Sequence, residues 1–144
     1  LLTEYNLLEA DLARPKVKDA DFRGKAKHME YRAREHQPAM LCTLVVTNNI
    51  DANGVARYPV GILPVMDPET GETLVDELGR RSFTTSIAYG PTIGKNIALA
   101  YLPWSHAQEG RKLKVEYFGE TYPVEVAGVG YKPLYDAENL KPRS

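Results

Sequence analysis

The chain has 144 residues, 43% of them hydrophobic and 26% charged, with a formal net charge of −1. A chain of this size buries roughly 68% of its unfolded surface, enough for one globular domain with its own core. Near-neutral charge without a Lys/Arg footprint argues against a nucleic-acid partner, and no apolar run approaches the roughly 20 residues that cross a membrane.

The first residues, Leu1-Leu2-Thr3-Glu4-Tyr5, lack the basic, apolar and small-residue regions of a secretory signal, and there is no initiator Met, so a segment of a longer protein is expected. Cys42 is the single cysteine. It excludes an internal disulfide, fits a reducing, cytoplasmic compartment, and reads as a small core hydrophobe within Met40–Val46. His28, His36 and His106 are scattered without ligand spacing, so no metal site is expected.

In chain order, residues 1–20 read as an irregular approach with one helical turn around Leu7, Leu8 and Leu12, interrupted at Pro15. The basic stretch from Lys16 to Lys27 is interleaved with Asp19 and Asp21 and reads as a solvated helix entry. A helix is predicted over 24–36, capped by Asp21, with Phe22, Ala26, Met29 and Ala33 on one face and Pro38 ending it. From Ala39 the pattern turns to period two. Strands are predicted at 40–47, 58–66, 81–89, 95–102, 111–118 and 121–129, with a short return at 73–76. A two-residue type II′ turn is expected at Gly119-Glu120. Six or seven short strands with turn signals between them predict a mainly β fold, a small antiparallel barrel preceded by one helix.

Several local patterns fail as sites. Asp67, Glu69, Glu72, Asp76 and Glu77 do not match a calcium loop, because Glu72 and Leu78 stand where it needs Gly and a bidentate Glu. Gly90–Asn96 has three residues between its glycines, not four, and no Ser or Thr after Lys95, so it is not a phosphate cradle. Ser86 lies in no nucleophile elbow. Tyr89, Tyr101, Tyr117, Tyr122, Tyr131 and Tyr135 read as half-buried barrel or interface rings rather than a base-stacking platform.

A longer pattern is more specific. Thr85-Ser86, Pro91-Thr92-Ile93-Gly94-Lys95 and Asn96-Ile97-Ala98-Leu99-Ala100-Tyr101 resemble the hallmark of the C-terminal barrel of the glycine-cleavage T-protein (aminomethyltransferase) family. Asp21-Phe22-Arg23-Gly24-Lys25, Gly110 with Leu113-x-Val115, and Pro133-Leu134-Tyr135-Asp136 follow in the family's order. The resemblance covers about residues 19–140. It implies three parts: residues 1–37 as the tail of a preceding folate-binding region, 38–130 as the barrel, and 131–144 as an irregular tail.

The activity it implies is one-carbon transfer or demethylation by a tetrahydrofolate-dependent aminomethyltransferase or methyltransferase. This chain would close the folate channel of the upstream region of the same polypeptide, with a small methyl or aminomethyl donor as the other partner. Tetrahydrofolate is then held mainly upstream, where the catalytic carboxylate is also expected, so no catalytic residue is assigned to this chain. Lys132, Lys141 and Arg143 are the expected contacts to the folate glutamate carboxylate. Ser82 stands where glycine-cleavage members usually carry Gly, and Ile87-Ala88-Tyr89-Gly90 replaces their usual turn. Both departures lean toward dimethylglycine or sarcosine dehydrogenase C-terminal regions and folate-dependent demethylases. The alternative reading is a non-catalytic β-barrel module docking a partner protein.

Overall fold

Alternation of aliphatic and polar residues sets which face each strand buries, and strand register sets what those faces meet. In a computed structural model describing residues 4–131, 133–136, 138 and 140, six antiparallel strands form a half-barrel. They are β1 (Ala39–Val46), β2 (Val65–Met66), β3 (Thr84–Gly90), β4 (Lys95–Pro103), β5 (Lys112–Tyr117) and β6 (Glu120–Val129), in the spatial order β2-β5-β6-β1-β4-β3. The mainly β architecture with one helix before it is the one the sequence predicts.

β1 and β4 pair from Ala39↔Pro103 to Val45↔Ile97, placing Leu44 opposite Ala98 and Cys42 opposite Ala100. Small residues on β4 thus leave room for larger ones on β1. On the other side, Leu113 meets Val124 and Val115 meets Tyr122 across β5 and β6. All of these side chains belong to one buried cluster. Each fully buried Leu or Val contributes about 1.5–3 kcal/mol relative to exposure, so this inward layer holds the domain together.

Register shifts between Thr43 and Leu44 in β1, and between Thr84 and Ser86 in β3, bend the strands. The curled sheet brings β2 and the start of β3 together at an isolated bridge between Pro64 and Phe83. Thr84 rivets this seam: its Oγ1 donates to the Gly61 carbonyl and accepts the Leu63 N–H, both at 2.8 Å. The backbone adds Val65 N–H to Ser82 O and Thr84 N–H to Leu63 O.

Three local expectations are corrected. The strand expected at 58–66 contracts to Val65–Met66, because Pro59 and Pro64 cannot donate to a ladder and Gly61 turns the chain at φ +98°. The helix, α1, spans Lys25–Arg32 and ends before residue 36. Its N-cap is Gly24 at φ +88° with no side-chain cap, so Asp21 does not cap it. The hairpin turn is Phe118-Gly119, with φ +51° and +77° between the paired Tyr117 and Glu120. Positive φ at both central residues marks type I′, not the expected type II′ at Gly119-Glu120. No helix among the described residues is long and apolar enough to cross a membrane.

Candidate functional site

Two loops share one internal design. In each, an aspartate accepts two downstream backbone N–H groups with one oxygen and an arginine Nε with the other. Asp51 holds Asn53 N, Val55 N and Arg57 Nε, the last at 2.7 Å. Asp76 holds Leu78 N, Arg80 N and Arg80 Nε, also at 2.7 Å. Gly54 and Gly79 close the loops by donating to the Asp51 and Asp76 carbonyls. The signal was present in the sequence as Asp-x-x-Gly at Asp51–Gly54 and Asp76–Gly79. Read as part of an acidic run, Asp76 concealed it.

The two arginines differ in what surrounds them. Arg57 is half-exposed, whereas the Arg80 side chain is 14% exposed and also pairs with Glu9, whose side chain is 3% exposed. Burial alone would lower the Arg80 pKa, but the bonds to Glu9 and Asp76 outweigh it and hold the guanidinium above its usual value. Its plane lies over the Tyr5 ring at 4.3 Å, and Tyr5 stacks on Tyr101 of β4. Glu9 further ties the N-terminal segment to the barrel, since its carbonyl accepts the Leu41 N–H at 2.7 Å. Residues 4–11 are therefore clamped to the outer face of β1 and β4.

Beyond the clamp, the chain runs over α1 and leaves a groove of about 590 Å³ between the strap at residues 12–18 and the helix. Leu7, Leu12, Val17 and Phe22 line it, with Arg14, Lys16, Lys18, Arg23, His28 and Arg32 among its other walls. Arg32 binds the strap to the helix through the carbonyls of Arg14 and Pro15 and the His28 ring. No residue of α1 is buried, and Leu7, Leu12, Phe22 and Met29 are all exposed. The expected apolar face of Phe22, Ala26, Met29 and Ala33 exists, and among the described residues nothing buries it: all four side chains are exposed.

The hallmark pattern proves to be architectural. Thr84 seals the sheet, and Thr85 donates to the Leu99 carbonyl across the bulge. Asn96, Ala98, Ala100 and Leu102 alternate inward. Packing is close at Gly90, where a Cβ would lie 2.6 Å from Ile97 Cδ1 and 3.1 Å from Ile93 Cγ1, so a larger residue would need those side chains to shift. The Pro91-Thr92-Ile93 turn and Pro133-Leu134-Tyr135, distant in sequence, line one outer recess.

Chemically reactive groups are otherwise committed. Cys42 is fully buried, and burial pushes its thiol up to about 12. Ser105 Oγ is 3.0 Å from His106 Nδ1, and His106 Nε2 is 3.8 Å from Asp67. That last distance is too long for a hydrogen bond. Asp67 Oδ1 accepts the Glu69 and Thr70 N–H groups, which close a turn, while Oδ2 faces His106 and, at 4.0 Å, Arg111 without a hydrogen bond to either. Burial and the nearby Arg111 charge push the His106 pKa down. Among the described residues, no group of three or more His, Cys, Asp or Glu is placed to hold a metal. Lys132, Lys141 and Arg143 lie outside the described residues.

A small antiparallel barrel carrying an N-terminal strap is the class of domain this geometry defines. The fold resembles the crystal structure of glycine cleavage system aminomethyltransferase T from Bartonella henselae, with TM-score 0.53 and 18% identity over 72% of this chain and 24% of that one. The model of the glycine cleavage T-protein C-terminal barrel domain matches residues 57–136, and the chain belongs to that family. Among curated relatives, dimethylglycine dehydrogenase from Rattus norvegicus is 27% identical over 109 residues, covering 76% of this chain and 11% of its own. An aminomethyltransferase from Synechocystis is 32% identical over 103 residues, covering 64% of this chain and 24% of its own. The chain thus spans between about a tenth and a quarter of the length of these relatives.

Proposed function

We propose that this chain is the C-terminal barrel of a tetrahydrofolate-dependent one-carbon transferase, packed through its strap and α1 against an upstream folate-binding region of the same polypeptide. The observation that carries the reading is the apolar face of Leu7, Leu12, Phe22 and Met29, left exposed among the described residues beside a well-filled half-barrel core. A domain that satisfies its own interior yet leaves a whole helix unburied is shaped for a neighbour. Relatives named aminomethyltransferase and dimethylglycine dehydrogenase are several times longer than this chain and supply the comparison for such a neighbour.

In this reading the barrel walls the folate channel, and an amine or other methylated donor meets the folate from the upstream side. The barrel's contribution is positioning and exclusion of water, effects worth several kcal/mol in a transfer between two bound partners. Lys132, Lys141 and Arg143 are proposed to meet the folate glutamate carboxylates, Arg143 by its fork. A cytoplasmic location belongs to the same proposal and is supported by a lone, buried cysteine.

Calorimetric titration of tetrahydrofolate into the longer polypeptide and into this chain tests the reading. Binding is expected in the longer protein alone. Absence of binding in both, or binding by this chain alone, contradicts it. In the longer protein, Arg143→Ala is expected to raise the folate KM about tenfold through loss of a charged hydrogen bond. Unchanged kinetics would remove the tail from the folate site.

A further inference from the structure

The groove between the strap and α1 is apolar at its floor and carries charge of one sign. From residue 12 to 18 the strap reads Leu-Ala-Arg-Pro-Lys-Val-Lys and holds no acid. Val17 is half-buried between the exposed Lys16 and Lys18, so the apolar side chain adds to the floor while both lysines stay in water. Leu7, Leu12 and Phe22 extend that floor, and no Asp or Glu stands among the residues that line the groove.

Arg32 spends its guanidinium on the Arg14 and Pro15 carbonyls and on the His28 ring. Arg14, Lys16, Lys18 and Arg23 have no such use. Among the described residues, none of these four donates a side-chain hydrogen bond or pairs with a carboxylate. The nearby acids are engaged elsewhere: Glu9 with Arg80, Asp11 with the Tyr131 N–H, and Glu30 with Lys27. Asp19 and Asp21, on the connection into α1, lie outside the lining.

What covers the groove decides the fate of those charges. In water and salt, four cations around it cost little. Under a covering surface they lose water, and a cation buried without a partner is strongly unfavourable. An apolar or basic cover would therefore bind more weakly than the floor alone allows, whereas carboxylates at matching positions fix both partner and register.

We infer that the part of the upstream region seated in this groove is an acidic, amphipathic segment. Its apolar side chains meet Leu12, Val17 and Phe22, and its carboxylates face Arg14, Lys16, Lys18 and Arg23. The inference rests on the docking proposed above and specifies its chemistry. A nucleic-acid backbone would use the cations but leave the apolar floor wet, and the chain as a whole carries a net charge of −1.

Zero-length carbodiimide cross-linking of the longer protein, read by mass spectrometry, tests the assignment. Cross-links from Lys16 and Lys18 to Asp or Glu side chains of the upstream region are expected. The double variant Lys16→Glu/Lys18→Glu is expected to speed amide exchange over α1 at least about tenfold in the longer protein, and Lys16→Arg/Lys18→Arg to leave it protected. Raising salt to about 1 M, where the Debye length falls to about 3 Å, should act on the wild type in the same direction as the charge reversal. In this chain alone the reversal should move the melting temperature by less than about 3 °C, because both side chains are exposed and unpaired, which separates loss of docking from loss of fold. Protection of α1 in the longer protein without a cross-link to the upstream region, or unchanged by the reversal, would overturn the acidic complement and leave the docking itself standing. An α1 that exchanges freely in the longer protein would overturn both. Cross-links that join two copies of the polypeptide would assign the groove to self-association and overturn the inference.

Discussion

Tyr5 lies flat on Tyr101, with ring centroids 3.8 Å apart and planes 5° from parallel. The contact joins the irregular N-terminal segment to β4. Arg80 sits over the same Tyr5 ring and carries the ion pairs to Glu9 and Asp76, so the N-terminal segment and the loop at 76–80 meet at one guanidinium.

Removing that guanidinium leaves two buried carboxylates without a counter-charge. Arg80→Ala is therefore expected to cost about 3 kcal/mol in a denaturant titration, far more than the loss of an exposed pair. Arg80→Lys keeps the charge but not the fork and should cost less. A loss below about 0.5 kcal/mol for Arg80→Ala would show that the clamp contributes little.

Gly130 stands at φ +71° against Asp11, and a Cβ there would lie 2.8 Å from Asp11 Cγ. Asp11 accepts the Tyr131 N–H at 2.8 Å, so displacing it breaks a second tie between the N-terminal segment and the end of β6. Gly130→Ala is expected to destabilise by about 2 kcal/mol and to speed proteolysis within the first dozen residues. Wild-type cleavage rates would contradict the assignment.

Asp51 and Asp67 give the fold an acid limit. The Val55 N–H, Arg57 and the Asn53 N–H hold the Asp51 carboxyl below its usual range, against a smaller opposing effect of burial. The Thr70 and Glu69 N–H groups, with His106 and Arg111, do the same for Asp67. A folded-state pKa below the unfolded one adds stability above the unfolded value, lost as pH falls through the folded value. Denaturation midpoints should be flat near neutrality with respect to these two groups and fall below about pH 4. Asp51→Asn should flatten part of that fall, and an unchanged acid profile would contradict the argument.

Cys42 offers an internal probe of the core. With its thiol fully buried and pushed up to about 12, it should resist thiol reagents at pH 8 until denaturant unfolds the chain. Prompt labelling of the native protein would mean that the β1–β4 seam opens locally.

The strands were legible in the sequence wherever one face is buried and the other wet, as in Lys112–Tyr117 and Glu120–Val129. There alternation records the fold directly. The segment at 58–66 misled because its aliphatic residues suggest a strand while Pro59, Gly61 and Pro64 forbid the ladder. Helix α1 was visible, but its cap was not, because Gly24 replaces the side-chain cap by a backbone turn. The Arg80 clamp was hidden for a different reason. The Asp76–Arg80 pair is local, but Glu9 joins it only when a segment 71 residues away folds onto the loop, and periodicity carries no trace of that.

The central claim is that the face formed by the strap and α1 is covered by an upstream region of the same polypeptide. Hydrogen exchange over Phe22–Arg32, measured in this chain alone and in the longer protein, tests it most directly. Rapid exchange in the chain and strong protection in the longer protein are predicted. Equally rapid exchange in both would leave that helix facing water and contradict the account.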